Sequence, residues 1–235
     1  LRRLTFGGNN RYPTWSSNGQ RIAFQSDREG DLAIFWQAVT GGAAERLTRP
    51  EPGIAHVPEA WTPDGQVLLF TAIKESRSTL WTLSLKDRSV ARFADVRDSY
   101  LPINPALSPD GRWVAYQFGE HAEQGEAVTF VEPLPPTGTK YEIGNGGRPA
   151  WSRDGTRLFI VPNPSQWFAF EFKTRPEVAI SSHSMIPRWF GVASPSLRRT
   201  FDLLPDGRVV AAAAGDNATD EALQIQFVVN WFEEL

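Results

Sequence analysis

Trp61-Thr62-Pro63-Asp64-Gly65 decides the fold, because the chain writes this phrase five times. The other copies read Trp15-Ser16-Ser17-Asn18-Gly19, Leu107-Ser108-Pro109-Asp110-Gly111, Trp151-Ser152-Arg153-Asp154-Gly155 and Leu203-Leu204-Pro205-Asp206-Gly207. Their glycines are spaced by 46, 46, 44 and 52 residues. One Asp-Gly pair would carry little information. Five matches at near-constant spacing mark an internal repeat.

Alignment on those glycines gives each position a role. Three residues on stand Ile22, Leu68, Val114, Leu158 and Val210; five on stand Phe24, Phe70, Tyr116, Ile160 and Ala212. Side chains of a strand alternate, so these two positions share a face. The position between them is also apolar (Ala23, Leu69, Ala115, Phe159, Ala211), so the strand is expected to be buried on both faces. Pro63, Pro109 and Pro205 preset φ for the first central position of a type I turn, and Gly then takes positive φ. The turn joins two antiparallel strands. The Trp or Leu that opens each phrase is expected to wedge between neighbouring units.

Further strands are expected over Leu32–Ala38, Leu80–Leu85, Ala127–Val131, Trp167–Phe172 and Leu223–Trp231. Shorter ones follow over Ala44–Thr48, Val90–Phe93, Lys140–Ile143 and Glu177–Ser181. No stretch shows a 3.6-residue apolar period. The unit is four short strands in about 47 residues, and the chain is all-β. Four antiparallel strands repeated at this period make a β-propeller blade, which hides both apolar faces by stacking on its neighbours. The expectation is one domain of five blades. They run over about 6–48, 49–95, 96–144, 145–183 and 184–235, with residues 1–5 available as the last strand of the fifth. Upstream blades, in a ring of six or seven, are the rival expectation.

Composition bounds the function. The 235 residues are 41% hydrophobic and 22% charged, which is ordinary for a folded protein. With no Cys there is no disulfide scaffold, thiolate zinc site or Cys nucleophile. A net charge of −3 and scattered arginines give no basic stripe for nucleic acid. No apolar run approaches the roughly 18 residues that span a bilayer, so no membrane insertion by this segment is expected. The chain starts at Leu1 and is expected to be a piece of something longer.

Arg11-Tyr12-Pro13-Thr14-Trp15-Ser16-Ser17-Asn18-Gly19, continuing to Gly30, resembles the TolB-type, WD-like propeller repeat. The order of elements, with Ala43–Thr48, Ser108–Gln117 and Asn230–Leu235, also resembles the C-terminal propeller region of bacterial membrane-anchored serine/threonine kinases. The chain has no Gly-rich phosphate loop and no His-Arg-Asp loop, so kinase activity does not carry over. The resemblance implies a propeller, extracytoplasmic or periplasmic, that binds something.

Candidate chemistry is sparse. His56, His121 and His183 fall at unmatched places in three repeats, so no metal site is expected. No Gly-x-Ser-x-Gly elbow is present. Glu59 and Asp202 stand at inner-strand positions where other repeats carry Pro or small residues. They are the only candidates for a glycosidase-like pair of carboxylates, and the alternative is that each pairs with an arginine such as Arg11, Arg148 or Arg199. The expectation is therefore no catalytic residue and no cofactor. A purely structural segment is the remaining reading. Partners are expected to be a protein or small ligand at the loop face or channel mouth. The candidate contacts are Arg11, Tyr12, His56, Glu59, Tyr100, Asn104, Arg148, Trp189, Phe190 and Asp202, since Tyr, Trp and Arg favour binding hot spots. The irregular segment Ser181–Leu197, with Met185, is expected to cap the channel.

Overall fold

The computed structural model describes residues 4–94, 98–120, 126–163, 166–174, 177–181, 183–187, 198–199, 201–204, 209–213 and 224–228. All regular elements among them are strands, in five antiparallel sheets. The first sheet is β1 (Asn10–Trp15), β2 (Arg21–Ser26), β3 (Ala33–Ala38) and β4 (Glu45–Arg46). The second is β5 (Ile54–Trp61), β6 (Val67–Lys74), β7 (Arg77–Ser84) and β8 (Val90–Arg92). The third is β9 (Ala106–Leu107), β10 (Trp113–Phe118), β11 (Val128–Pro133) and β12 (Tyr141–Asn145). The fourth holds β13 (Gly147–Trp151), β14 (Arg157–Asn163), β15 (Gln166–Lys173), β16 (Ala179–Ile180) and β17 (Ser184–Pro187). The fifth holds β18 (Phe201–Leu203), β19 (Val209–Ala213) and β20 (Gln224–Val228). Each sheet runs in chain order, and the inner strands touch in series: β1 on β5, β5 on β9, β9 on β13, β13 on β18. That serial contact is propeller geometry.

The repeated phrase builds the same turn four times. In the second sheet the Gly65 N–H donates to the Thr62 carbonyl (2.8 Å). The Thr62 hydroxyl donates to Asp64 Oδ1 (2.5 Å), which also accepts from the Gln66 N–H (3.0 Å). Ser16–Asn18, Ser108–Asp110 and Ser152–Asp154 repeat the side-chain bond. These bonds hold the Asp64 and Asp154 carboxyls below their ordinary pKa, led in each case by the hydroxyl two residues back. The carboxylates are turn parts, spent on local donors.

Alternate positions of the second strand face opposite neighbours, as the repeat requires. Ala23 and Ile34 of the first sheet pack with Trp61, Leu68 and Phe70 of the second. Leu69 and Leu80 pack with Val114 and Tyr116 of the third. Ala115 and Val131 pack with Trp151, Leu158 and Ile160 of the fourth. Trp167 meets Phe201 at 4.4 Å between ring centres, joining the fourth sheet to the fifth. Polar ties run alongside: Gln25 Nε2 donates to the His56 carbonyl (2.9 Å), and Gln117 Oε1 accepts from the Arg148 N–H (2.7 Å).

Two expectations need correction. Trp61 and Trp151 are wedges, 8% and 7% exposed, but Trp15 is 59% exposed. Trp61 and Trp151 pack on the sheet that precedes theirs in the chain; Trp15 stands in the first sheet and among the described residues has no such cover. The segment expected to cap the channel begins as an outer strand. Ser184–Pro187 pairs with Gln166–Ala169 of β15, in the fourth sheet and not the fifth, and Gln166 Nε2 donates to Met185 Sδ (3.1 Å). β16 and β17 divide one edge of β15, so one irregular step between two short pairings looks like loop in the sequence. Residues 188–197, including Trp189 and Phe190, lie outside the described residues. So does most of the expected pairing of 1–5 with 223–231; Leu4 and Thr5 are not in a strand.

Candidate functional site

The inner strands share a distortion that the sequence does not announce. Register shifts between Arg11 and Thr14, between Pro58 and Ala60, and between Gly147 and Ala150. These are β-bulges at the same repeat position. Tyr12, Asn104 and Arg148, each seven residues before its turn glycine, have φ of +53°, +47° and +54°. Non-glycine residues rarely adopt such φ, and holding one costs of order 1–3 kcal/mol unless its surroundings enforce it. Bulges also re-aim side chains, and here they surround a cavity.

That cavity has a volume of about 540 Å³ and is lined by Tyr12, Pro13, Thr14, Trp15, Pro58, Glu59, Asn104, Pro105, Arg198, Arg199, Phe201 and Asp202. A second cavity of about 400 Å³ shares Pro105, Arg199 and Asp202 with it. Two adjacent arginines organise the first. Arg198 Nη1 donates to Glu59 Oε1 (2.7 Å), and its guanidinium lies 4.6 Å from the Tyr12 ring centre. The Arg199 N–H donates to Asn104 Oδ1 (3.2 Å), and its Nη1 donates to the Pro149 carbonyl (3.1 Å). One dipeptide before β18 thus reaches the bulges of β1, β5 and β13, at Tyr12, Glu59 and Pro149, and the residue of positive φ before β9, Asn104.

Glu59 is fixed from a second side. Its Oε1 also accepts from the Thr71 hydroxyl (2.6 Å), and its side chain is only 8% exposed. Burying a carboxylate this far costs free energy that a cation and hydrogen bonds offset, and Arg198, 24% exposed, supplies the cation. Arg198 Nη2 is buried and has no hydrogen-bond acceptor among the described residues. Asp202 differs. It is 74% exposed and meets Arg199 at 3.7 Å. The two carboxylates therefore share a cavity, each beside an arginine.

Of the residues singled out from sequence, Tyr12, Glu59, Asn104 and Asp202 come together here. Arg11 is exposed and acts on Asp27. Tyr100 accepts a hydrogen bond from Arg77, whose guanidinium lies 4.2 Å over its ring. Arg148 is fully buried. His56 packs on Phe70, 4.9 Å between ring centres. Burial pushes its pKa down to about 4, with Asp31 opposing and Arg46 adding to the effect. Among the described residues no three His, Asp or Glu are grouped to hold a metal ion, and no helix is long and apolar enough to cross a membrane. Sequence reasoning missed Arg198 and misassigned Trp15. The Arg198-Arg199 pair, unique to the fifth repeat at that offset, was the available signal.

The comparisons with known proteins agree with this architecture. The TolB beta propeller domain model matches residues 1–132. The Protein TolB homolog of Chlorobium luteolum is 32% identical over 145 residues, covering 61% of this chain and 31% of that protein. The Uncharacterized peptidase YuxL of Bacillus subtilis is 30% identical over 158 residues, covering 64% and 21%. The chain thus spans less than a third of either relative. Among solved structures, TolB from Acinetobacter baumannii matches with a TM-score of 0.63 at 21% identity, over 89% of this chain and 50% of that one. A puromycin-hydrolyzing peptidase of Mycobacterium tuberculosis matches with a TM-score of 0.63 at 18% identity, over 94% and 35%. At such identities these two likenesses show the fold alone. With the matched model spanning more than half of its length, the chain belongs to the TolB beta propeller domain family.

Proposed function

We propose that this segment is a recognition module which binds a protein or peptide at the cavity between its inner strands and catalyses nothing itself. One observation carries the reading: Glu59, the buried carboxylate of the cavity, is locked by Arg198 and Thr71 together, which leaves the exposed Asp202 without a free carboxylate to work with. A general acid or nucleophile must be free to exchange a proton or attack. Glu59 is held as a strut. Exposed Tyr12 and Trp15 beside these charges are the residue types on which protein ligands gain most energy. An extracytoplasmic location goes with this proposal and rests on the likeness to TolB proteins. The peptidase likeness bears on whole proteins of which this segment would be one part.

The test is to select binders from a random peptide library and to follow the same peptides, and a panel of glycans, for cleavage. Recovery of intact binders whose affinity falls on Tyr12→Ala supports the proposal. Turnover that Glu59→Gln abolishes contradicts it.

A further inference from the structure

The aromatic rings of this protein are commonly covered by its own cations. Arg21 lies 3.7 Å over Trp36, Arg77 4.2 Å over Tyr100, Lys140 3.9 Å over Phe130 and Arg198 4.6 Å over Tyr12. Trp15 breaks the pattern. It is 59% exposed, and among the described residues no ring or cation stacks on it. An indole face is the best aromatic surface for an ammonium or guanidinium group, through the negative potential of its π-system.

The charges around Trp15 point the same way. The two cations of the cavity are already committed. Arg198 is held by Glu59 and Tyr12, and its Nη2 is buried. The Arg199 guanidinium donates to the Pro149 carbonyl and meets Asp202 at 3.7 Å. Arg198 and Arg199 are 24% and 29% exposed against 74% for Asp202, so the cavity offers a ligand more open carboxylate than open cation. Asp202 is the open charge: 74% exposed, with its one ion-pair contact at 3.7 Å. It lines the same cavity as Trp15. An uncovered indole and a largely solvated carboxylate in one cavity complement one kind of group, a cation on an aliphatic stem.

We infer that the cavity takes a Lys or Arg side chain of its polypeptide ligand, stacked on Trp15 and neutralised by Asp202. This rests on the recognition reading above and adds the ligand's chemistry to it. Trp61 and Trp151 show the competing occupant: another sheet of the same kind, whose apolar side chains, Trp36 among them for Trp61, cover an indole.

The experiment uses the 235-residue protein with labelled tryptophan, so that each indole N–H gives an NMR signal, and Trp15→Phe identifies the signal of Trp15. The probes are four capped pentapeptides, Ala-Pro-X-Pro-Ala with X as Lys, Arg, Gln or Glu. The Lys and Arg peptides are expected to shift the Trp15 signal and to bind at least tenfold tighter than the Gln and Glu peptides. Trp15→Ala and Asp202→Asn should each remove most of that preference, while Trp15→Phe retains part of it. Both sites are exposed, so these variants are expected to fold, and their unfolding midpoints verify it. Equal affinity for the four peptides, or a preference that survives both variants, overturns the inference and leaves the recognition reading standing. No binding by any of the four also overturns it; the recognition reading falls separately, if the random library yields no binder. Self-association of the parent protein that Trp15→Ala abolishes overturns it in favour of a second sheet as the occupant.

Discussion

Gly111 shows how a single residue couples two units. Its φ of +72° lies in the left-handed region, and a Cβ there would stand 2.8 Å from Pro63 Cδ of the preceding turn. Gly111→Ala is therefore expected to cost at least about 1–2 kcal/mol from the backbone alone, read as a lower urea midpoint. His56 is the second residue with a measurable signature. Its folded pKa of about 4 lies below the ordinary 6.5, so the unfolded chain binds more protons between those values. The stability it contributes is complete above pH 6.5 and is lost as pH falls towards 4. Urea midpoints at pH 7 and pH 4.5 should differ less in His56→Leu than in the parent. The turn residues were legible in the sequence because Pro, Asp and Gly act through local geometry. The environment of His56 was not, because its burial comes from residues distant in sequence, such as Phe70.

Strands were legible for a similar reason: period-two alternation is local, and the apolar positions around the first four turn glycines fell on the faces they were expected to fill. Two element-scale features were not. The bulges of β1, β5 and β13 depend on tertiary demand at the inner strands, and Tyr12 and Arg148 are not residue types that signal positive φ. The split between β16 and β17 likewise hides a strand inside an irregular run. Trp151 and Trp15 test the packing rule against each other. Trp151, 7% exposed and donating to the Ala106 carbonyl (3.1 Å), should cost about 3–5 kcal/mol on truncation to Ala. Trp15→Ala should change stability by no more than about 0.5 kcal/mol. Chemical denaturation of the two variants separates them. Arg198→Ala belongs at this scale too, because it leaves the Glu59 carboxylate buried without its cation. A loss on the order of 3 kcal/mol is expected, and Glu59→Gln in the same background should recover part of it.

For the whole molecule, the repeat makes a serial stack of sheets whose inner strands gather around a cavity, and the TolB family match agrees. The architecture could be read from five glycines. Half of the site could not, because Arg198 and Arg199 come from the fifth repeat and contact the other four, a meeting that only the tertiary arrangement of the sheets creates. The central claim is that these bulged strands form the recognition surface. Hydrogen–deuterium exchange on the protein, alone and bound to the tightest peptide from a random library, tests it most directly. The account predicts slowed exchange at Tyr12–Trp15, Pro58–Glu59, Asn104–Pro105 and Arg198–Asp202. Protection confined to the turns at Ser16–Gly19, Thr62–Gly65, Ser108–Gly111 and Ser152–Gly155 would contradict it.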